Sequence, residues 1–285
     1  MKIAVLGLGL MGTAIARRLH QQGFAIVGWN RSPGAAQALA DEGIATAASP
    51  GEAIAAAELV ALLLADAEAI AETLVPPATA ALAGRIVIQM GTIAPDESRD
   101  LAARLAAAGA EYLEAPVLGS LPEACAGRLL IMAGGEAALF ERCRPFLAAL
   151  GEAPQRIGAV GHAAALKLAM NQLIAGLTAT FAASLGLVRR EGIAVDQFMA
   201  LLRGSALYAP TFDKKLDKYL AHDYGRANFS LKHLLKDIRL FRRVAGEEGI
   251  DTAPIAALEA ACLRGIAAGH GDEDYSVLYE ALVAR

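Results

Sequence analysis

The sequence predicts an α/β protein in two parts. A doubly wound parallel sheet spans residues 1–160, and an all-α part built on one long central helix spans residues 161–285. Three observations carry this expectation. Short apolar runs alternate with helix-like segments along the first part, the pattern of parallel strands joined by crossover helices. The first of those runs ends in a glycine turn with the spacing Gly7-x-Gly9-x-x-Gly12. Beyond residue 160 the strand pattern stops, and Ala163 to Glu191 reads as one nearly uncharged apolar helix without proline.

Composition narrows the function classes. With 285 residues, 55% hydrophobic and 20% charged, the chain suits a globular enzyme-sized protein of one large or two ordinary domains. Its formal net charge of -4 disfavours nucleic acid as a principal partner. Cys125, Cys143 and Cys262 make neither a metal spacing nor a disulfide framework, which fits a reducing cytoplasm. The N-terminus enters a strand pattern at once, so no signal peptide is expected. The charge is uneven: residues 1–160 hold 11 Lys+Arg against 16 Asp+Glu, and residues 161–285 hold 15 against 14.

In chain order, the apolar run from Ile3 leads into the glycine turn, and a helix pattern follows from Thr13. In a dinucleotide fingerprint one glycine permits the tight turn, one lets the backbone approach a pyrophosphate, and one lets helix pack on strand. The helix N-terminus then offers N–H groups to the phosphates. A second strand ending at Asn30 supplies the context that the motif needs, so Gly7, Leu8, Gly9, Leu10, Met11 and Gly12 are expected to bind a dinucleotide in a Rossmann-type domain. The end of that second strand selects the cofactor. It reads Trp29-Asn30-Arg31-Ser32, with no acid until Asp41 to grip a ribose 2′-hydroxyl. Arg31 and Ser32 instead suit a 2′-phosphate, so NADP(H) is favoured, with NAD(H) possible and Arg31 as a plain exposed loop arginine the alternative.

Strands and helices then alternate through Ile44–Ser49, Pro50–Ala57, Glu58–Ala65, a helix near Glu68–Leu74, Arg85–Gly91, a helix near Pro95–Ala108 and Glu111–Val117. Ligands of such sheets lie at the carboxyl ends of strands. Leu64, Ala65 and Asp66 fall at one such end and Thr92 at another, each either lining a site or serving as a helix cap. In the stretch Glu114–Ala124 a strand enters a Gly119-Ser120 turn stiffened by two prolines. Backbone N–H groups there could converge on an anion, or the turn could hold no ligand. Gly127–Glu136 reads as a further strand and turn.

The long helix is followed by helices near Asp196–Gly204, Pro210–Leu220, Leu231–Glu248, Ala253–Ala268 and Tyr275–Ala284, with Ser230 suited to an N-cap. Its apolar length could span a bilayer. Small residues dominate it, however, and no basic loop or aromatic belt flanks it, so no membrane is expected. Lys167 and Asn171 interrupt its apolar run, four residues apart and so on one face. Either the helix abuts a polar cleft there, or Lys167 snorkels to water. From Asp213 to Arg243 there are 9 Lys+Arg against 4 Asp+Glu, a solvated face or a positive field for an anionic ligand.

Together these blocks resemble the β-hydroxyacid dehydrogenases along essentially the whole chain, and within them the glyoxylate/succinic semialdehyde reductases. The resemblance rests on residues 7–12, 30–32, 89–95, 114–124, 161–171, 229–240 and 271–276 in this order. It implies that Lys167 is the catalytic lysine with Asn171 as its companion. Thr92 and Lys236 would contact the nicotinamide cofactor, and Asp237 would complete a Lys-Asp pair in the substrate site. Gly119 and Ser120 would lie in the loop that holds the substrate carboxylate. Leu118 departs from the serine usual at its position, which removes a hydroxyl donor and leaves room for a more apolar acyl chain.

The chemistry implied is hydride transfer to an aldehyde or oxo acid, in which negative charge builds on oxygen and a pre-placed ammonium stabilises it and gives up a proton. No metal is called for, and the five histidines are scattered. The leading expectation is an NADPH-dependent reductase of small oxo acids or semialdehydes such as glyoxylate or succinic semialdehyde. The same site could run in the oxidative direction, as a 3-hydroxyisobutyrate or other β-hydroxyacid dehydrogenase. Imine reductases share the architecture but lack a lysine at the position of Lys167. A third reading, from another class, is a catalytically silent cofactor-bound interaction module, which the lysine also argues against. The length of the central helix implies a homodimer or homotetramer through the helical part.

Overall fold

The computed structural model describes residues 1–283; Ala284, the expected end of the last helix, lies outside the described residues with Arg285. The chain divides into two compact units, Met1–Lys167 and the remainder from Leu168.

The first unit holds a nine-stranded sheet: β1 (Lys2–Leu6), β2 (Ala25–Trp29), β3 (Ala45–Thr46), β4 (Leu59–Leu62), β5 (Ile86–Gln89), β6 (Glu111–Glu114), β7 (Val117–Leu118), β8 (Leu130–Gly134) and β9 (Gln155–Gly158). Its helices are α1 (Leu10–Gln21), α2 (Pro33–Asp41), α3 (Pro50–Ala55), α4 (Ala67–Thr73), α5 (Pro95–Ala107), α6 (Leu121–Ala126) and α7 (Ala137–Leu150), and it includes the first residues of α8 (His162–Arg190). The spatial strand order is β3-β2-β1-β4-β5-β6-β8-β7, with β9 beside β8. The chain therefore steps out in one direction from β1, returns, and continues on the other side, so β1 and β4 flank the point of reversal.

Alternation along each strand explains why both faces are apolar. On β1, Ile3 and Val5 join one core with Ile15, Leu19, Phe140, Phe146 and Leu147. Ala4 and Leu6 point the other way, into a second core with Ile54, Ile70, Leu101 and Leu105. A strand covered on both faces reads as a continuous apolar run, which is how β1 and β4 look in the sequence.

Beyond β6 the sheet stops being parallel. β8 pairs antiparallel with both β6 and β7. The segment between β7 and β8 contains only the six-residue α6, too little chain for a parallel crossover, which takes a dozen residues or more. The purely parallel sheet expected from the sequence is thus mixed at this edge. α7 and β9 are elements that the sequence pattern does not announce. Leu139, Phe140, Cys143, Phe146, Leu147 and Leu150 form a buried helical stripe, but Pro145 sits on the exposed side of α7 and masks the pattern.

The second unit comprises most of α8 together with α9 (Val195–Arg203), α10 (Pro210–Ala221), α11 (Leu231–Glu247), α12 (Ala253–Ala267) and α13 (Leu278–Leu282), the last preceded by a 3-10 turn at Tyr275–Val277. By length and composition alone α8 could cross a membrane. Within this unit its Ala175, Phe181, Ala182 and Leu185 are buried in the helical core. Phe181 stacks on Phe212 with ring centroids 4.6 Å apart. Leu173 and Leu187, on the other side of α8, are 59% and 63% exposed.

The same core contains a buried ion pair. Lys215 Nζ donates to both carboxylate oxygens of Asp274 at 2.7 and 2.8 Å and lies 4.4 Å above the centre of the Tyr275 ring. Asp274 also accepts from the backbone N–H and hydroxyl of Ser276, so its oxygens are well supplied with donors. Burial lowers the Lys215 pKa more than Asp274 raises it. Ser230 holds the N-cap position of α11, but its hydroxyl bonds Nδ1 of His233 at 2.7 Å instead of a backbone N–H.

Candidate functional site

The glycine turn is built by close backbone crossings. Gly7 has φ +99°, and a Cβ there would lie 2.5 Å from the Leu63 carbonyl oxygen. A Cβ on Gly12 would lie 1.9 Å from the Gly7 carbonyl oxygen, so α1 rests directly on the turn. Gly91, after β5, is pressed against the Leu64 carbonyl oxygen in the same manner, at 2.7 Å. Gly9 differs: nothing lies within 4 Å of its Cβ direction. It is the N-cap of α1 and carries no side-chain cap, and the first turn of α1 has no acidic residue. The N–H groups of that turn have no intrahelical acceptor, and the positive end of the helix dipole lies at the same place. These residues fit the pyrophosphate of a dinucleotide.

Asn30 ties the turn to the end of β2. Its Oδ1 accepts from the Leu8 N–H at 2.9 Å, and its Nδ2 donates to the Ser32 carbonyl at 3.0 Å. Leu8 is buried, Leu10 is exposed and Met11 is half-buried. Arg31 is exposed and lies 3.4 Å from Glu72 Oε2, and Ser32 occupies the N-cap position of α2 without making a side-chain cap. Among exposed pairs such an ion pair contributes about 0–1 kcal/mol, so Arg31 can exchange Glu72 for another anion at little cost.

After β4, Leu64 is half-buried and Ala65 exposed, while Asp66 accepts from the Ala69 N–H at 2.8 Å and caps α4. Thr92 is half-buried and is not a cap, because α5 begins at Pro95 with Ala94 as its N-cap.

The 114–124 loop holds an element that the sequence reading did not include. Leu118 ends β7 half-buried, and Gly119 has φ +138°. The backbone N–H of Ser120 donates to Glu123 Oε2 at 2.7 Å, and its hydroxyl donates to the same oxygen. The anion on which these two donors converge is therefore the chain's own Glu123. The S-x-x-E spacing of a capping box was the available signal.

Lys167, on the second turn of α8, is 9% exposed, and Asn171 follows one turn later on the same face. In the second unit Asn171 Nδ2 donates to Asp237 Oδ2 at 2.6 Å, and Lys236 Nζ lies 3.0 Å from Asp237 Oδ1. Asp237 is 3% exposed, so this carboxylate is buried between an amide and an ammonium. The other cations of α11 are paired too: Lys232 with Asp272, Arg239 and Arg242 with Glu259, and Arg243 with Glu247. In the part of the Asp213–Arg243 run that falls on α11, each of these cations thus faces a carboxylate. Among the described residues no group of His, Cys, Asp and Glu could hold a metal ion.

The comparisons agree across both units. The NAD binding domain of 6-phosphogluconate dehydrogenase matches residues 2–161, and the NAD-binding domain of NADP-dependent 3-hydroxyisobutyrate dehydrogenase matches residues 161–282. Glyoxylate/succinic semialdehyde reductase 1 of Arabidopsis thaliana is 30% identical, with 99% of this chain and 98% of that protein covered. The chloroplastic reductase 2 of the same plant is 32% identical, over 99% of this chain and 79% of that protein. The crystal structure of 3-hydroxyisobutyrate dehydrogenase from Salmonella typhimurium superposes with a TM-score of 0.88 at 26% identity, covering 98% of this chain and 99% of that one.

The two kinds of glycine can be told apart by experiment. Gly9→Ala adds a methyl group to open space, so the melting temperature should hold while the dissociation constant for NADP(H) rises about 10-fold or more, since the backbone there approaches the pyrophosphate. Gly12→Ala should lower the melting temperature as well. Cofactor titration and thermal unfolding of both variants read this, and unchanged cofactor affinity in Gly9→Ala would show that the ligand passes elsewhere.

Proposed function

This chain belongs to the β-hydroxyacid dehydrogenase family of NAD(P)-dependent oxidoreductases, and from that premise we propose that it reduces small oxo acids or semialdehydes to hydroxy acids with NADPH, using Lys167 as the proton donor. The observation that carries this reading is Lys167 itself: a buried ammonium, the only Lys, Arg, Asp or Glu in the first half of an apolar helix. A cation at such a place can stabilise the negative charge that builds on oxygen in the transition state.

The bound nicotinamide supplies the hydride. The chain's own residues do the rest. The first turn of α1 holds the pyrophosphate, while Asn30, Arg31 and Ser32 face the adenosine ribose. Leu64, Ala65, Asp66, Thr92 and Lys236 complete the cofactor contacts. Lys167 stabilises the oxyanion that forms at the substrate carbonyl and passes it a proton. Asn171, oriented by Asp237, keeps a polar partner beside the reacting oxygen. Leu118, Gly119 and Ser120 line the acyl end of the substrate. A leucine in place of the family's usual serine, with the Ser120 donors already held by Glu123, favours an oxo acid bearing a methylene chain over glyoxylate. The runner-up is the same chemistry in the oxidative direction on a β-hydroxy acid.

The test is Lys167→Ala. Removing an electrostatic donor that acts in the transition state should lower kcat and kcat/KM together by about 100- to 1000-fold, followed at 340 nm with glyoxylate and succinic semialdehyde. Cofactor affinity should stay within about twofold, because the phosphates are held at α1. A variant that binds NADPH normally and retains more than about a tenth of the wild-type rate would rule out Lys167 as the acid.

The preference for NADPH rests on Arg31 and Ser32. Arg31→Ala should raise KM for NADPH about 10-fold while changing KM for NADH little, because only the 2′-phosphate gains charge-assisted hydrogen bonds there. Equal effects on the two cofactors would place Arg31 in solvent.

The exposed side of α8, with Leu173 and Leu187, supports assembly of two or four copies through the helical part. Sedimentation should give a dimer or tetramer at micromolar concentration that Leu187→Glu weakens; a wild-type monomer with full activity would refute it.

A further inference from the structure

Glu114 is the last residue of β6 and is 1% exposed. A buried carboxylate is tolerable only where its oxygens are supplied with donors. Oε1 accepts from the backbone N–H groups of Gly161 and Ala163, both at 2.8 Å, and of Ala164 at 3.3 Å. Oε2 accepts from the hydroxyl of Ser98, whose oxygen lies 2.8 Å from the hydroxyl of Tyr112. An ionised carboxylate can only accept, so Ser98 donates to it and must itself accept from Tyr112. Burial raises the Tyr112 pKa well above its ordinary value, so that phenol keeps its proton, and the chain Tyr112 to Ser98 to Glu114 runs in one direction.

The three backbone N–H groups belong to the start of α8, where a helix has no partners of its own for them. A negative charge at that end also opposes the positive end of the helix dipole. The carboxylate is walled in. A Cβ on Gly134 would lie 2.2 Å from Glu114 Oε1 and 2.8 Å from the Ala159 carbonyl oxygen, so glycine is required there and Oε1 has little room to shift. Lys167 lies one turn beyond Ala163, where an ideal helix bonds its N–H to the Ala163 carbonyl. The direction in which the lysine side chain leaves α8 is therefore set by the turn that Glu114 holds.

We propose that Glu114 is a positioning residue for Lys167: by binding the first turn of α8 to the end of β6, it fixes the place from which the ammonium reaches the reacting oxygen. This rests on the reading of Lys167 as the proton donor. Misplacing a reacting group by about 1 Å can cost about 100-fold in rate, so a looser anchor shows in kcat before it shows in binding.

The test is a double-mutant cycle on the full-length enzyme with NADPH. Glu114→Gln keeps the shape and removes the charge. It should lower kcat by about 10- to 30-fold while the NADPH dissociation constant changes less than about twofold. In a Lys167→Ala background the same substitution should lower the residual rate less than about twofold, because the group it positions is gone. Equal losses in both backgrounds, or a folded Glu114→Gln enzyme with unchanged kcat, would overturn the proposal. Should Glu114→Gln fail to fold, Ser98→Ala removes one donor to Oε2 and leaves the carboxylate and its three backbone partners. Measured in the same two backgrounds, it should lower kcat about threefold only where Lys167 is present, and an equal loss in both, or none in either, would overturn the proposal. Near-normal turnover in Lys167→Ala alone is the separate result that refutes the lysine reading and takes the positioning role with it.

Discussion

Glu114 satisfies a requirement set by the start of α8. A long helix that begins inside a folded unit brings N–H groups that no residue of its own can accept, and burying them unpaired costs about 1–3 kcal/mol each. Here one carboxylate accepts from three of them. The residues that surround it are fixed in turn: Gly134 because a side chain would occupy the place of Oε1, Ser98 because its hydroxyl supplies Oε2, and Tyr112 because its hydroxyl supplies Ser98. Gly161, with φ +96°, has no side chain where the Arg99 guanidinium lies. The strand end, the loop and the first turn of the helix thus form one hydrogen-bonded body.

A second constraint operates at the strand ends where the sheet reverses direction. Gly7, Gly12 and Gly91 all yield space to backbone carbonyl oxygens, and each is needed for the chain to cross itself. Gly9 yields space to nothing in the protein. The same motif therefore serves two ends, packing at Gly7 and Gly12 and a vacant approach at Gly9. Only the fold distinguishes them, because the sequence spacing is common to both.

What could be read from the sequence was whatever depends on near neighbours. The alternation of Ile3 with Ala4 and of Val5 with Leu6 marks a strand covered on both faces, and the glycine spacing marks the turn. The unbroken apolar run from Ala163 becomes a single helix, and Asp66 turns out to be a cap, which was one of its two possible roles. What could not be read depends on distant partners. Glu114 meets Gly161 across 47 positions, and Asn171 meets Asp237 across 66. The antiparallel course of β8 follows from a connection too short for a crossover, a matter of chain length that residue pattern does not reveal. At Ser120 a local signal exists, since Glu123 stands three residues on, and the anion expected at this turn is that carboxylate.

The pairing of Lys215 with Asp274 bears on how this chain can diverge. The two residues are 59 positions apart, both are buried, and each answers the other's charge in a core of aromatic rings. Losing either partner strands a charge, a loss of about 3–5 kcal/mol, whereas replacing both with apolar residues of like volume can be neutral. A single step from one acceptable state to the other passes through a protein destabilised by about 3–5 kcal/mol. The pair is therefore a ratchet on divergence: α10 and the turn before the final helix are bound to one another's history, and substitutions at the two positions are expected to appear together in descendants or not at all.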